Sequence, residues 1–328
     1  MLKRRTLCSS AALTLGALLV PLGVQANAPS FPTKPLTMVV PFPAGGITDA
    51  VARMLAIKVS DQLGKPVVVE NKPGGGGQIA AAYVRQQPAD GHTIYVAATE
   101  MFAINPSLFR NFSYDPVKDF TPITSLISSP LVLVVGSKSS MNSVKDVIQQ
   151  AKTTKGGLNF ASQGMGSIGH LLGEIFRSKT GGTYSHIAYK GSAPALQDVM
   201  SGQVDFMFDP VISTAPLIAG KKLKPLAIAA DKRASQMPDV PTLDELGING
   251  VNAGVWFGAV AKVGTPPAVI DRLNEALLQA MKDPEVLKRF ADQGMQPFPS
   301  TPAQFGSFIQ SEIARWTPLV KASGASID

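Results

Sequence analysis

Gly164, Gly166 and Gly169 stand at the spacing G-x-G-x-x-G in "NFASQGMGSIGHLLGEIF", after a short apolar run and ahead of a helical pattern. A dinucleotide could lay its pyrophosphate over such a turn, but that fingerprint also needs an acid about 20 residues on, where the next strand ends, to hold the ribose hydroxyls. Here the next strand, "YSHIAYK", ends in Tyr189-Lys190-Gly191, and no Asp or Glu falls between Glu174 and Asp198. The dinucleotide reading fails at that position, and simpler anion chemistry remains. Glycine lets backbone approach a ligand closely, and the unpaired N–H groups at a helix start carry partial positive charge. Ser162, Gln163 and Ser167 add small polar side chains, so a carboxylate could be held without an arginine. A second turn of this kind, Ala44-Gly45-Gly46 in "PFPAGGITDAVAR", separates a strand end from a helix that Thr48 can cap. Facing each other, the two turns would clamp a molecule with an anionic group at each end. Taken singly, each is equally a tight strand-to-helix turn and nothing more.

Other chemistries find little support. Ser167 and His170 are three apart on one helix with Glu174 a turn further on, but Met165, not Gly, stands two residues before Ser167, so no G-x-S-x-G elbow exists. No enzyme is expected, and an exported hydrolase would have to show turnover of an ester or amide. His92 and His186 have no acid or Cys at ligand spacing, so neither a metal nor a cofactor is expected. "NKPGGGGQ" lacks the Lys-Ser/Thr ending of a phosphate loop and reads as a flexible turn. His170 has two open readings, a ligand contact or a bond to its own turn. Asp49 is first a helix-start acid favoured by the dipole. Asp205 and Asp209 share one face of "VDFMFD", and Asp209, ending the strand, is the better cleft candidate. Trp256-Phe257 reads as core or hinge packing.

The elements that must position these residues alternate strand and helix from residue 36 onward, which argues for parallel sheets with crossover helices. "LTMVV" (36–40), "PVVVE" (66–70) and "TIYVAA" (93–98) are strands; Val51, Leu55, Val59 and Leu63 recur at helical spacing between the first two. A second unit opens with "LVLVV" (131–135) and continues through a helix at 143–151 and a strand at 158–162. The helix after the glycine turn follows, with Ile168, Leu171, Leu172, Ile175 and Phe176 as its core stripe, then strands at 184–190, 204–209 and 223–230 and a helix at 193–202. "GVWFGAVA" (254–261) leads back to a long helix, with Thr265 as cap and Pro266 in its first turn. The expected architecture is α/β, with two domains joined by extended crossings near 121–131 and 250–258. Residues 29–125 and 255–328 form domain 1, and residues 126–254 form domain 2.

Residues 1–28 stand apart. Lys3, Arg4 and Arg5, an apolar stretch from about Ala11 to Val24, and Ala26-Asn27-Ala28 make a secretory signal cut near Ala28. The apolar run is too short to span a membrane, which takes about 20 residues. Arg4-Arg5 leaves a twin-arginine signal open beside an ordinary one. The one cysteine, Cys8, lies in this leader, so the mature chain is expected to have no thiol. The formal charge of +7 falls to +4 once Lys3, Arg4 and Arg5 are set aside, a mild excess that suits anionic small molecules. No basic run interleaves with aromatics, so nucleic acid is not expected as a partner.

Long blocks carry a resemblance. "KPLTMVVPFPAGGITDAVAR", "GKPVVVENKPGGGGQIAA", "GSIGHLLGEIF", "HIAYKGSAPALQDVMSGQVDFMFD" and "LAIAADKRASQMPDVPTLDELG" resemble the periplasmic receptors of tripartite tricarboxylate transporters, also called Bug proteins, from about residue 32 to the C-terminus. The resemblance implies a two-domain periplasmic-binding-protein-like fold of type II, closing over a hinged cleft on a small carboxylate, di-, tri- or aromatic. It implies two opposed pincers. Phe42, Ala44, Gly45, Gly46, Thr48 and Asp49 fall on the first, and Ser162, Gly164, Gly166, Ser167 and His170 on the second. Thr99 and Asp209 fall where they would line the cleft. A monomeric periplasmic receptor that hands its ligand to membrane transporter subunits is implied, with a sensor or partner-enzyme accessory protein as the alternative. Where many members carry Asn after the "PGGGG"-type block and an aromatic residue or His near Glu100-Met101-Phe102, this chain has Gln78 and "TEMFAIN", so the ligand does not follow from the resemblance.

Overall fold

The computed structural model describes residues 31–328, so the leader read at 1–28 lies outside the described residues. The chain runs β1 (Leu36–Val40), α1 (Ile47–Leu63), β2 (Val67–Asn71), α2 (Gln78–Gln86) and β3 (Thr93–Ala98). β1 pairs in parallel with both β2 and β3, the right outcome for apolar strands joined by helices. Val51, Leu55, Val59 and Leu63 of α1 are all buried, as their spacing requires. A π-helical turn over Glu100–Ile104 and the short α3 (Asn105–Leu108) then lead toward β4 (Phe120–Gly136).

The second half continues with α4 (Val144–Thr153), β5 (Leu158–Ser162), α5 (Ile168–Thr180), β6 (Tyr184–Ala188), α6 (Ser192–Ser201), β7 (Phe206–Pro210), α7 (Val211–Ala219) and β8 (Leu223–Ala229). The chain returns through β9 (Gly254–Lys262) to α8 (Pro267–Lys282), α9 (Pro284–Asp292), the two-residue β10 (Gln296–Pro297) and α10 (Pro302–Ser323).

Two sheets share one strand. Along residues 120–130, β4 lies between β9 and β10, and the order from the far edge is β2-β1-β3-β9-β4. Along residues 131–136 the same strand lies between β8 and β7, with β5 and β6 beyond β7. The extended crossing near 121–131 is therefore not a linker but the first part of a 17-residue strand. Its register shifts between Pro122 and Thr124, between Ser125 and Ile127 and between Leu133 and Val134, the kind of irregularity that bends a strand from one sheet into the next. Residues 31–328 hold together as one compact unit.

Apolar packing fixes both sheets. Tyr95, Phe102, Phe305 and Trp316 fill the first, and Phe160, Phe176, Phe206 and Phe208 the second, all fully enclosed. Trp256 stacks on Phe102 with centroids 5.6 Å apart and donates its indole N–H to Glu312 at 3.0 Å, so it serves as core packing. Two expected caps are corrected. α1 begins after Gly46 with no side-chain cap, because Thr48 lies inside the first turn on the buried face. α8 begins after Pro266, and the Thr265 hydroxyl donates back to the Lys262 carbonyl at 2.8 Å.

Candidate functional site

Parallel pairing sends the chain out of β1, β3, β5 and β7 through their C-terminal ends, where α/β sheets carry their sites. The turn after β1 exposes Ala44, Gly45 and Gly46, keeps Phe42 half-buried, and encloses Thr48 and Asp49. Gly45 needs its residue type, since its φ of +85° is a conformation side chains disfavour. Its N–H, however, is not free: it donates to Asp49 Oδ2 at 2.9 Å. Asp49 also accepts from Arg53 Nε at 3.0 Å and Asn71 Nδ2 at 2.9 Å. The Arg53 guanidinium, above all, draws the Asp49 carboxyl down to about 2 against its own partial desolvation. Asp49 thus shapes the turn from inside. The N–H groups of Gly46, Ile47 and Thr48 have no partner among the described residues, as expected for the first turn of a helix without a side-chain cap.

The turn after β5 is braced more heavily. Ser162 Oγ accepts from Gly164 N at 3.1 Å and donates to Gly164 O at 2.9 Å. His186 Nε2 lies 2.6 Å from the same oxygen and therefore supplies a proton to it. Gly166 N donates to His170 Nδ1 at 3.0 Å, which puts the His170 proton on Nε2. Ser167 caps α5 by accepting from His170 N at 3.3 Å. The two imidazoles stack, centroids 3.9 Å apart and 15° from coplanar. Burial pushes both rings down to about 4, with Arg177 adding to the effect on His170, and His170 on His186. Of the two readings left open for His170, the bond to its own turn is what the structure contains. Gly166 has a φ of +73°, and a Cβ there would sit 2.4 Å from the Leu108 side chain, so only glycine fits. Gly164, half-buried, precedes exposed Met165, and the N–H groups of Met165 and Ile168 have no partner among the described residues.

The two remaining positions serve their own sheets. Thr99 Oγ1 accepts from Trp256 N at 2.8 Å and donates to Trp256 O at 3.2 Å, latching β3 to β9. Asp209, fully enclosed, accepts the Ser192 hydroxyl at 2.7 Å and the Gln163 amide on Oδ1, while Oδ2 has no partner. Burial pushes its carboxyl up to about 6. Neither side chain reaches solvent. Arg53, Asn71 and His186 were not read as site residues, yet they hold the turns, and Gln163, named beside Ser162, binds Asp209; nothing in their local spacing signalled it. Ile47 and Met165 put an exposed apolar side chain on each turn. Among the described residues no group of three or more acids, histidines or cysteines could hold a metal, and no helix is long and apolar enough to cross a membrane.

Two α/β sheets joined through one shared strand, with glycine turns at strand C-termini, define a two-domain periplasmic-binding-protein fold with a hinged cleft, as in solved structures of this class. BugD, a periplasmic binding protein, is 34% identical, covers 90% of this chain and 99% of its own, and superposes with a TM-score of 0.77. The model of the tripartite tricarboxylate transporter family receptor matches residues 51–325, and the chain belongs to that family. Protein BugT of Bordetella pertussis is 36% identical over 95% of this chain and 97% of its own length. R. palustris Rpa4515, solved with adipate, is 33% identical with a TM-score of 0.81 over 90% of this chain and 99% of its own. MatC of Rhodopseudomonas palustris, solved with bound malate, is 32% identical with a TM-score of 0.75 over 88% of this chain and all of its own. The protein is a periplasmic solute-binding receptor of this family, and its relatives are receptors rather than enzymes.

Proposed function

We propose that this receptor captures a small carboxylate between the turn after β1 and the turn after β5, for uptake through membrane subunits of the tripartite tricarboxylate type. The observation that carries this is the pair of strand-to-helix turns, one on each sheet, whose N–H groups at Gly46–Thr48 and at Met165 and Ile168 have no protein partner. Amides held by a rigid turn cost no side-chain ordering when they bind. The relatives solved with adipate and malate hold carboxylates, which favours the same ligand class here. In this reading the N–H groups of Gly46, Ile47, Thr48, Met165 and Ile168 meet the ligand. Phe42, Ala44, Gly164 and Ser167 wall it in, and Gly45, Asp49, Thr99, Ser162, Gly166, His170 and Asp209 hold the walls. The lobes are residues 29–125 with 255–328, and 126–254, hinged where β4 and β9 cross. The chain is exported by its leader, cut near Ala28, and works as a monomer.

A proline at residue 47 tests this without disturbing the fold. Proline is tolerated at the first helical position, and Ile47→Pro deletes one candidate donor while leaving an apolar side chain. Hydrogen bonds to charged groups contribute about 1.5–3 kcal/mol, so affinity for a bound carboxylate should fall roughly tenfold or more. The melting curve of the empty protein should stay unchanged, and Ile47→Ala should bind nearly as the parent does. Unaltered affinity in Ile47→Pro, measured by calorimetry, contradicts the assignment.

A further inference from the structure

The chain leaving β1 toward Phe42 and the chain leaving β3 toward Glu100 emerge side by side, because the two strands pair in parallel with Val39 level with Tyr95, about 4.8 Å apart. Glu100 opens the π-helical turn that closes β3. On that turn Met101, Phe102, Ala103 and Ile104 are all enclosed, while Glu100 keeps partial access to solvent. The same segment continues to Leu108, whose side chain abuts Gly166 of the other turn. Glu100 therefore lies on the piece of backbone that connects the neighbourhoods of both turns.

Its chemistry there is unusual. Asp49, the nearest acid of the first turn, is held by Arg53 and Asn71, and Asp209 by Ser192 and Gln163. The Glu100 side chain forms no hydrogen bond with another described residue, and among the described residues no cation offsets it. Burial drives its carboxyl above the usual range. A half-buried acid without a counter-charge is costly to the empty protein, and a cation brought by the ligand would remove that cost. The same acid repels a second ligand carboxylate placed near it.

We propose that Glu100 is a ligand-selecting residue, taking the ammonium group of an amino-acid-type carboxylate whose carboxylate oxygens the two turns hold. The inference rests on the carboxylate reading above and narrows its substrate class from any small acid to a zwitterionic one. The test is calorimetry on matched pairs that differ by one amino group: succinate against aspartate, and glutarate against glutamate. In the parent protein the amino member should bind at least about tenfold more tightly, the size of one charge pair in a partly dry site. Glu100→Gln should bring the two members of a pair within about twofold. Its empty form should melt no lower than the parent, since the change removes an uncompensated charge. A diacid that binds as tightly as its amino counterpart, or a preference that survives Glu100→Gln, overturns the proposal and leaves carboxylate capture standing. Absence of binding by every member overturns the proposal, while carboxylate capture itself stands or falls on the Ile47→Pro measurement.

Discussion

At the scale of single residues, the groups that offer N–H donors and the groups that support them are different. Asp49 is a support: it ties Gly45 N, Arg53 and Asn71 into one knot under the first turn. Its carboxyl is depressed to about 2 in the folded chain against an ordinary 3.8. A depressed acid stabilises the fold above its unfolded value and loses that contribution as pH falls through the folded one. Asp49→Asn should therefore cost about 1 kcal/mol at neutral pH, a modest figure because the Arg53 side chain is 50% exposed. The difference from the parent should shrink between about pH 4 and pH 2, as followed by urea titrations across that range. Gly166→Ala probes the second turn. Positive φ and contact with Leu108 should together cost about 2–3 kcal/mol in the empty protein. A loss well under 1 kcal/mol would falsify the close approach described here. These supports were hard to read in sequence, because glycine and acid types mark a turn without saying whether its amides bond inward or outward.

Among elements, α5 shows how a helix start is built by strands beside it. The His170–His186 stack and the Ser162 hydroxyl tie β5, β6 and the first turn of α5 together. Both rings are held at about 4 against an ordinary 6.5. Their neutral forms stabilise the fold above about pH 6.5, and that contribution, on the order of a few kcal/mol for the pair once solvent screening at half-buried His186 is allowed for, is lost as pH falls toward 4. His186→Phe keeps a stacking ring but removes one titrating group, so its stability should slope less over that interval than the parent's. Equal slopes would show the rings to be uncoupled from folding. The strand and helix pattern around this element was largely legible, since the α5 stripe of Ile168, Leu171, Leu172 and Phe176 is buried as spacing demands. α7 was not legible: "VISTAPLIA" is apolar on every face and carries Pro216 inside the helix, so it offers no period and a false stop. The π-helical turn at Glu100–Ile104 escaped for a related reason, because its buried residues run consecutively.

Across the whole molecule, β4 runs through both sheets and β9 joins it in the first, with register shifts near Ser125–Ile127 and Leu133–Val134; under the proposed division into lobes, those irregularities are where a hinge would fall. Periodicity gave two αβ units, but not that residues 121–131 belong to a single strand running through both sheets, since pairing partners more than 100 residues away leave no local signal. Ligand present at about 100 times its dissociation constant should stabilise the closed form by about 2.7 kcal/mol, a rise in melting temperature of several degrees. The most direct measurement of the central claim is a crystal structure of the protein loaded with a tight-binding carboxylate. The account predicts carboxylate oxygens within about 3 Å of the backbone nitrogens of Gly46–Thr48 on one side and of Met165 and Ile168 on the other. A ligand seated instead in the groove beside β4 and α10, against Ser128, Arg233 and Phe308, would contradict it.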